Sequence, residues 1–162
     1  MAIAPNTNPF VSGAVLTAAQ MTALPMGIYS FVEKTTSTTP VSAEAVILTL
    51  PSFTAVANRY YRVTAFFPYC ETTGGGAANF QLRIRKGTTT GGTQLNLAYA
   101  FASATSSADI FMMVQWVGTL TAGAQQMVAT FESSASSTVL ASATVPQQML
   151  IEDIGGASCE KP

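Results

Sequence analysis

From Gly27 onward the chain alternates between apolar and polar residues in short runs, and this period of two most constrains what it can fold into. In FQLRIRKG, Phe80, Leu82 and Ile84 share one side while Gln81, Arg83 and Arg85 share the other. A strand with one buried face needs that pattern, and a helix cannot use it. GIYSFVEK, AVILTLPSFTAV (broken near Pro51, which lacks a ladder donor), NRYYRVTAFFPYC after the Ala57-Asn58 turn, and QLNLAYAFA are further runs. In QLNLAYAFA, Leu95, Leu97, Tyr99 and Phe101 share a face. IFMMVQWVG and AQQMVATFES read as a hairpin closed by Gly-Thr-Leu-Thr-Ala-Gly, and STVLASATV and QQMLIEDIG close the series. TTSTTPVSAE, ETTGGGAAN, TTTGGT and SATSSAD are loops rich in turn residues. The sequence thus predicts about eight to ten short strands with turn signals roughly 8–12 residues apart and no long crossover helix. The expected fold is all-β: an antiparallel two-sheet β-sandwich, jelly-roll-like, preceded by an N-terminal arm containing one short helix.

Three regions follow: a docking arm over 1–26, the sandwich over 27–157 and a tail over 158–162. The arm holds VLTAAQMTALPMG, whose helix signals are complete. Thr17 is the N-cap, Gln20 completes a capping box, and Leu16 and Met21 form a hydrophobic staple. Pro25 and Gly27 end the run. At about two turns the helix is too short to stand alone in water, so it must dock. Phe10, Val15, Leu16, Met21 and Leu24 are the expected docking side chains.

Only 9% of the 162 residues are charged, against a usual ~25%, and the net charge is −1. So little repulsion protects a lone copy poorly against association. Two strands are apolar on both faces. In IFMMVQWV, Ile110, Met112, Val114 and Trp116 oppose Phe111, Met113 and Val117; in YYRVTAFF, Tyr61, Val63 and Phe67 oppose Tyr60 and Phe66. A sandwich strand needs one apolar face, so the second is covered by loops, by the arm or by another subunit. With charge so scarce, a subunit interface is the preferred reading, through Tyr60, Phe66, Phe111, Met113 and Trp116. No membrane role is expected. The uncharged stretch from Ile110 to Phe131 is long enough to span a bilayer but is interrupted by Gln, Gly and Thr. The first residues lack the basic region of a signal peptide.

Histidine is absent, which removes the commonest general base, the Ser-His and Cys-His pairs and most zinc sites. Separation in space decides whether carboxylates form a glycosidase pair, and nothing in the sequence singles one out: Glu152 and Asp153, neighbours on one strand, point to opposite faces. The glycine-rich loops match no phosphate-binding spacing. No enzyme, cofactor or metal is expected. Five basic residues concentrate on two strands: Arg59 and Arg62 on one, Arg83, Arg85 and Lys86 on another. Without net positive charge they do not make a nucleic-acid footprint. Salt bridges between subunits or sheets, an acidic partner surface, or cation–π contact with Tyr60, Tyr61 or Tyr69 are the readings they leave. Cys70 and Cys159 fit no metal or redox spacing. Free thiols are preferred, and a disulfide depends on geometry the sequence does not give.

VLTAAQMTALPMG, FTAVANRYYRVTA, LRIRKGTTTGG and VPQQMLIEDIGGA together resemble small virion proteins of tailed phages that infect actinobacteria, the minor capsid, decoration and minor tail proteins. The resemblance spans about residues 13 to 157 and implies a β-sandwich, often trimeric, mounted on the particle by its N-terminal segment. LTAGAQQMVATF is similar to the penultimate hairpin of trimeric jelly rolls of the tumour-necrosis-factor and complement type, with Ala124 in place of the usual acidic residue. The expected function is a homotrimeric capsid decoration protein on the virion exterior, cementing major capsid subunits. The alternative is a minor tail or tail-fibre protein binding host glycan through loop aromatics such as Tyr69 and Tyr99.

Overall fold

The computed structural model describes residues 24–73, 76–103 and 110–156, which form twelve strands and no helix. In order they are β1 (Gly27–Lys34), β2 (Thr38–Val41), β3 (Ala45–Thr49), β4 (Phe53–Ala55), β5 (Arg59–Thr72) and β6 (Ala78–Lys86). β7 (Thr93–Ala102), β8 (Ile110–Thr119), β9 (Gly123–Gln125), β10 (Met127–Ser133), β11 (Ser137–Leu140) and β12 (Gln147–Gly156) follow. The count exceeds the expectation because β2, β4 and β9 are only three or four residues long, too short to show a period in sequence. β2 lies within TTSTTPVSAE, which reads as a loop. The expected helix and residues 158–162 lie outside the described residues, as do Phe10, Val15, Leu16 and Met21.

The fold is all-β and every pairing is antiparallel. One sheet runs β1-β12-β5-β11-β2 with β8 on the other edge of β5; a second runs β3-β10-β6-β7; β4 and β9 make a small ribbon. The hairpin expected between IFMMVQWVG and AQQMVATFES does not form. β8 pairs with β5 in the first sheet and β10 with β3 and β6 in the second, because β9 intervenes and pairs with β4, carrying the chain across. The sheets also meet along one side, where β7 and β8 lie close and the Asn96 amide donates to the Gln115 carbonyl at 2.6 Å.

β5 organises the first sheet. Its fourteen residues, about 46 Å at 3.3 Å each, carry β12 along the first part of one edge and β11 along the last. Pro68 sits between these partners: β12 pairing stops at Phe66 and β11 pairing starts at Tyr69, so its missing N–H costs no ladder bond. The β8 ladder shifts between Phe67 and Cys70. Inward residues therefore change parity there, from Tyr61, Val63, Ala65 and Phe67 to Cys70 and Thr72.

The core lies between the two sheets. Val63, Phe67, Met112, Met149 and Ile151 from the first meet Phe80, Leu82, Ile84, Met127 and Phe131 from the second. Phe131 bridges them, with ring centroids 6.3 Å from Phe67 and 5.4 Å from Phe80. The β4–β5 turn needs a left-handed residue, supplied by Asn58 at φ 57°. The Val56 N–H donates to the Tyr61 hydroxyl at 2.8 Å, fixing that turn to the core. In the β6–β7 turn Gly92 is obligatory, since a Cβ would collide with the Lys86 carbonyl.

Candidate functional site

The five basic residues do not form one patch. β5 and β6 belong to opposite sheets, and four of the five are paired within the chain. Arg59 and Asp153 face inward and form a buried bidentate pair, with Asp153 Oδ1 also accepting from the Gly155 N–H at 2.9 Å. Arg59 Nη2 reaches the Leu24 carbonyl at 2.5 Å, so the pair also fixes the chain just before β1; of the expected arm contacts, Leu24 alone is described. Arg62 and Glu152 are register partners on the outer face of the first sheet, paired at 2.8 Å. Glu152 and Asp153 do point to opposite faces, each answered by an arginine of β5.

On the outer face of the second sheet Arg83, Arg85, Glu44 and Glu132 form a network. Arg85 grips Glu44 with a fork at 2.6 and 2.8 Å, Thr130 donates to the same carboxylate at 2.5 Å, and Arg83 binds Glu132 at 2.7 Å. Lys86 reaches the Thr121 hydroxyl at 3.5 Å. Partial burial raises the pKa of Glu44, but the hydrogen bonds from Arg85 and Thr130 and the charges of Arg83 and Arg85 outweigh it and hold the carboxyl below the usual range. A depressed carboxylate adds stability that is complete above its unfolded pKa of about 4.3 and is lost as pH falls through the folded value. Urea midpoints should therefore fall less steeply on acidification in Glu44→Gln than in the unmodified protein. Equal acid slopes in the two proteins would show that Glu44 carries none of this dependence.

Among the described residues no cluster of Cys, Asp and Glu has the composition of a metal site. Cys70 carries a free thiol that burial pushes up to about 12, far from a nucleophile's range. Cys159 lies outside the described residues. No described helix is long and apolar enough to cross a membrane.

The outer face of the first sheet is apolar where water would ordinarily be met. Phe111 is 55% exposed and Met113 and Val117 51% each, all on β8. Across the ladder Phe66 pairs with Met113, Arg62 with Val117 and Tyr60 with Thr119, and the Phe66 and Phe111 rings sit edge to face at 5.1 Å. Ile28, Phe31, Tyr69 and Ile154 are also exposed. Tyr60, Phe66, Phe111 and Met113 thus share one surface. Trp116 does not: it pairs with inward Val63, packs against the core, and its indole occupies the space above Gly118.

β7 holds an aromatic face whose direction the sequence did not give. Ala98, Ala100 and Ala102 turn towards the core opposite Leu82, Phe80 and Ala78, while Leu97, Tyr99 and Phe101 turn outward. Leu95 leaves their face, because the register shifts beside Ile84, and it packs on the core. Tyr99 and Phe101 are 67% and 64% exposed. The clue in sequence is the alanine run at alternate positions: small residues fit a strand lying close to the opposite sheet. Tyr69 and Tyr99, expected in loops, stand instead on strands β5 and β7 of different sheets and make no common site.

No family model and no curated protein matches the chain. Among solved structures it is similar to the CBM22-1 xylan-binding domain of Paenibacillus barcinonensis Xyn10C, at 12% identity and TM-score 0.36, over 83% of this chain and 97% of that one. It is also similar to infectious bursal disease virus Gt strain, at 11% identity and TM-score 0.32, over 83% of this chain and 37% of that one. At such TM-scores neither likeness assigns a fold family or an activity.

Proposed function

We propose that this chain is a non-enzymatic structural protein of a phage particle: a jelly-roll-like sandwich that assembles as a homotrimer on the head exterior and cements neighbouring major capsid subunits. One observation carries the reading, the row of Phe111, Met113 and Val117 laid open on β8 beside Phe66 and Tyr60. An exposed apolar face of this kind on a chain with a net charge of −1 favours association. The ions at its centre, Arg62 and Glu152, neutralise each other, so a second copy meets no bare charge there. Glu33, on edge strand β1, and Glu71, near the end of β5, lie at its margins. The phage assignment rests on the sequence resemblance, and the arm, with Phe10, Val15, Leu16, Met21 and Leu24, is the docking device.

Two measurements test this. Light scattering after size-exclusion chromatography should give three times the monomer mass. The double variant Phe111→Lys/Met113→Glu should give the monomer mass with unchanged circular dichroism, since both side chains are solvent-facing in the single chain. A monomeric unmodified protein would refute the assembly reading. Antibody-labelled particles seen by electron microscopy should carry many copies over the head; label confined to the tail tip would favour the tail-protein alternative.

A further inference from the structure

We infer that the outer face of the β6–β7 hairpin is a binding platform for a neutral polysaccharide, with Tyr99 and Phe101 as the stacking surface and Asn79 and Gln81 as the hydrogen-bonding row. This surface lies on the sheet opposite the proposed trimer face, and the inference does not depend on that reading. In register, Phe101 stands beside Asn79 and Tyr99 beside Gln81, and Gln81 in turn stands beside Glu132 of β10. Each outward row therefore starts with an aromatic ring on β7 and continues into an amide on β6; the second ends in a carboxylate.

The rings are not part of the core. Three alanines fill the inward positions of β7, and the two aromatic side chains are exposed to water. Two residues apart on one face, they are about 6.6 Å from each other along the strand, a spacing matched to neighbouring sugar rings. A pyranose presents an apolar face of C–H groups to such a surface and hydroxyls around its rim. The rim groups need donors and acceptors beside the rings, and the amides provide them. Gln81 is already oriented, because its Oε1 accepts from Arg83 Nη2, while its Nε2 makes no hydrogen bond among the described residues. Arg83 is itself held by Glu132 and packed against Glu44.

Charge selects the class of polymer. Arg83 is buried and ion-paired with Glu132 and Glu44, and its one donor without a hydrogen-bond partner, Nη1, is shut off from solvent, so the face presents no free cation to an anionic chain. A nucleic acid or an acidic glycan is thus disfavoured where an uncharged one is accepted. A protein partner would want an unbroken apolar patch at the centre of contact, and here amides and a carboxylate lie directly beside the rings.

Affinity electrophoresis of the full chain through gels containing arabinogalactan, glucomannan, hydroxyethyl cellulose or dextran, with hyaluronate as the anionic control, tests this. At least one neutral polymer should retard the protein, and hyaluronate should not. Tyr99→Ala and Phe101→Ala should each weaken the retardation about tenfold, the equivalent of one lost ring contact. Val56→Ala, exposed in the β4–β5 turn and part of neither face, should leave it unchanged. Because Tyr99 and Phe101 are solvent-facing, these variants should keep the circular dichroism spectrum. Retardation by none of the neutral polymers, by hyaluronate alone, or to the same extent in the double variant Tyr99→Ala/Phe101→Ala would overturn the inference. A change of oligomeric mass in that double variant would overturn it too, since the face would then be a contact between copies.

Discussion

Phe131→Ala is expected to lower the free energy of unfolding by about 3–5 kcal/mol, read as a fall in the urea midpoint at unchanged slope. The ring is fully buried at the middle of the sandwich, against Phe67 of the facing sheet and Phe80 of its own. Truncation loses the transfer free energy of the ring and leaves a cavity that two hydrogen-bonded sheets cannot collapse to fill. With total stabilities of about 5–15 kcal/mol for domains of this kind, the variant should be near the edge of folding. Phe131→Leu should recover most of the loss, because it restores most of the volume. If the Ala variant costs under about 1 kcal/mol, the sheets do not close over this residue as described.

Arg59→Ala should be comparably damaging, by about 3–5 kcal/mol, because it strands a charge where solvent does not reach. The Asp153 side chain is 0% exposed, and without Arg59 it keeps only the Gly155 N–H among its described hydrogen bonds. The carbonyl of Leu24 would also lose its donor, loosening the chain where it enters β1. The control is the double variant Arg59→Met/Asp153→Leu. Removing both ions takes away the desolvation penalty with the attraction, so it should be far more stable than the single variant. A double variant as unstable as the single would show that the damage comes from lost packing and not from an orphaned carboxylate. Chemical denaturation of the three proteins separates these outcomes.

The interface residues show how far alternation can be read. Two apolar faces on IFMMVQWV and YYRVTAFF group Phe111 with Met113 and Phe66 with Tyr60, and the folded register turns both groups outward on one surface. Trp116 shares the period of Met112 and Val114 and so faces the core with them, not the interface expected of it. The parity change at Pro68 is signalled by the proline, but its direction depends on where β12 hands over to β11. The fate of the arginines was not legible. Arg62 and Glu152 are ninety residues apart, and Arg85 and Glu44 forty-one, so only the folded register brings them together.

The sequence by itself determined the all-β class, the antiparallel strands, their approximate places and the scarcity of charge, since period, turn residues and composition act over a few neighbouring positions. The tertiary structure alone decided which strands share a sheet, that β8 and β10 part company, and that the aromatic face of β7 looks outward over a row of inward alanines. Those outcomes depend on which face of a strand meets the opposite sheet. A local pattern defines two faces but cannot say which of them the rest of the chain will cover.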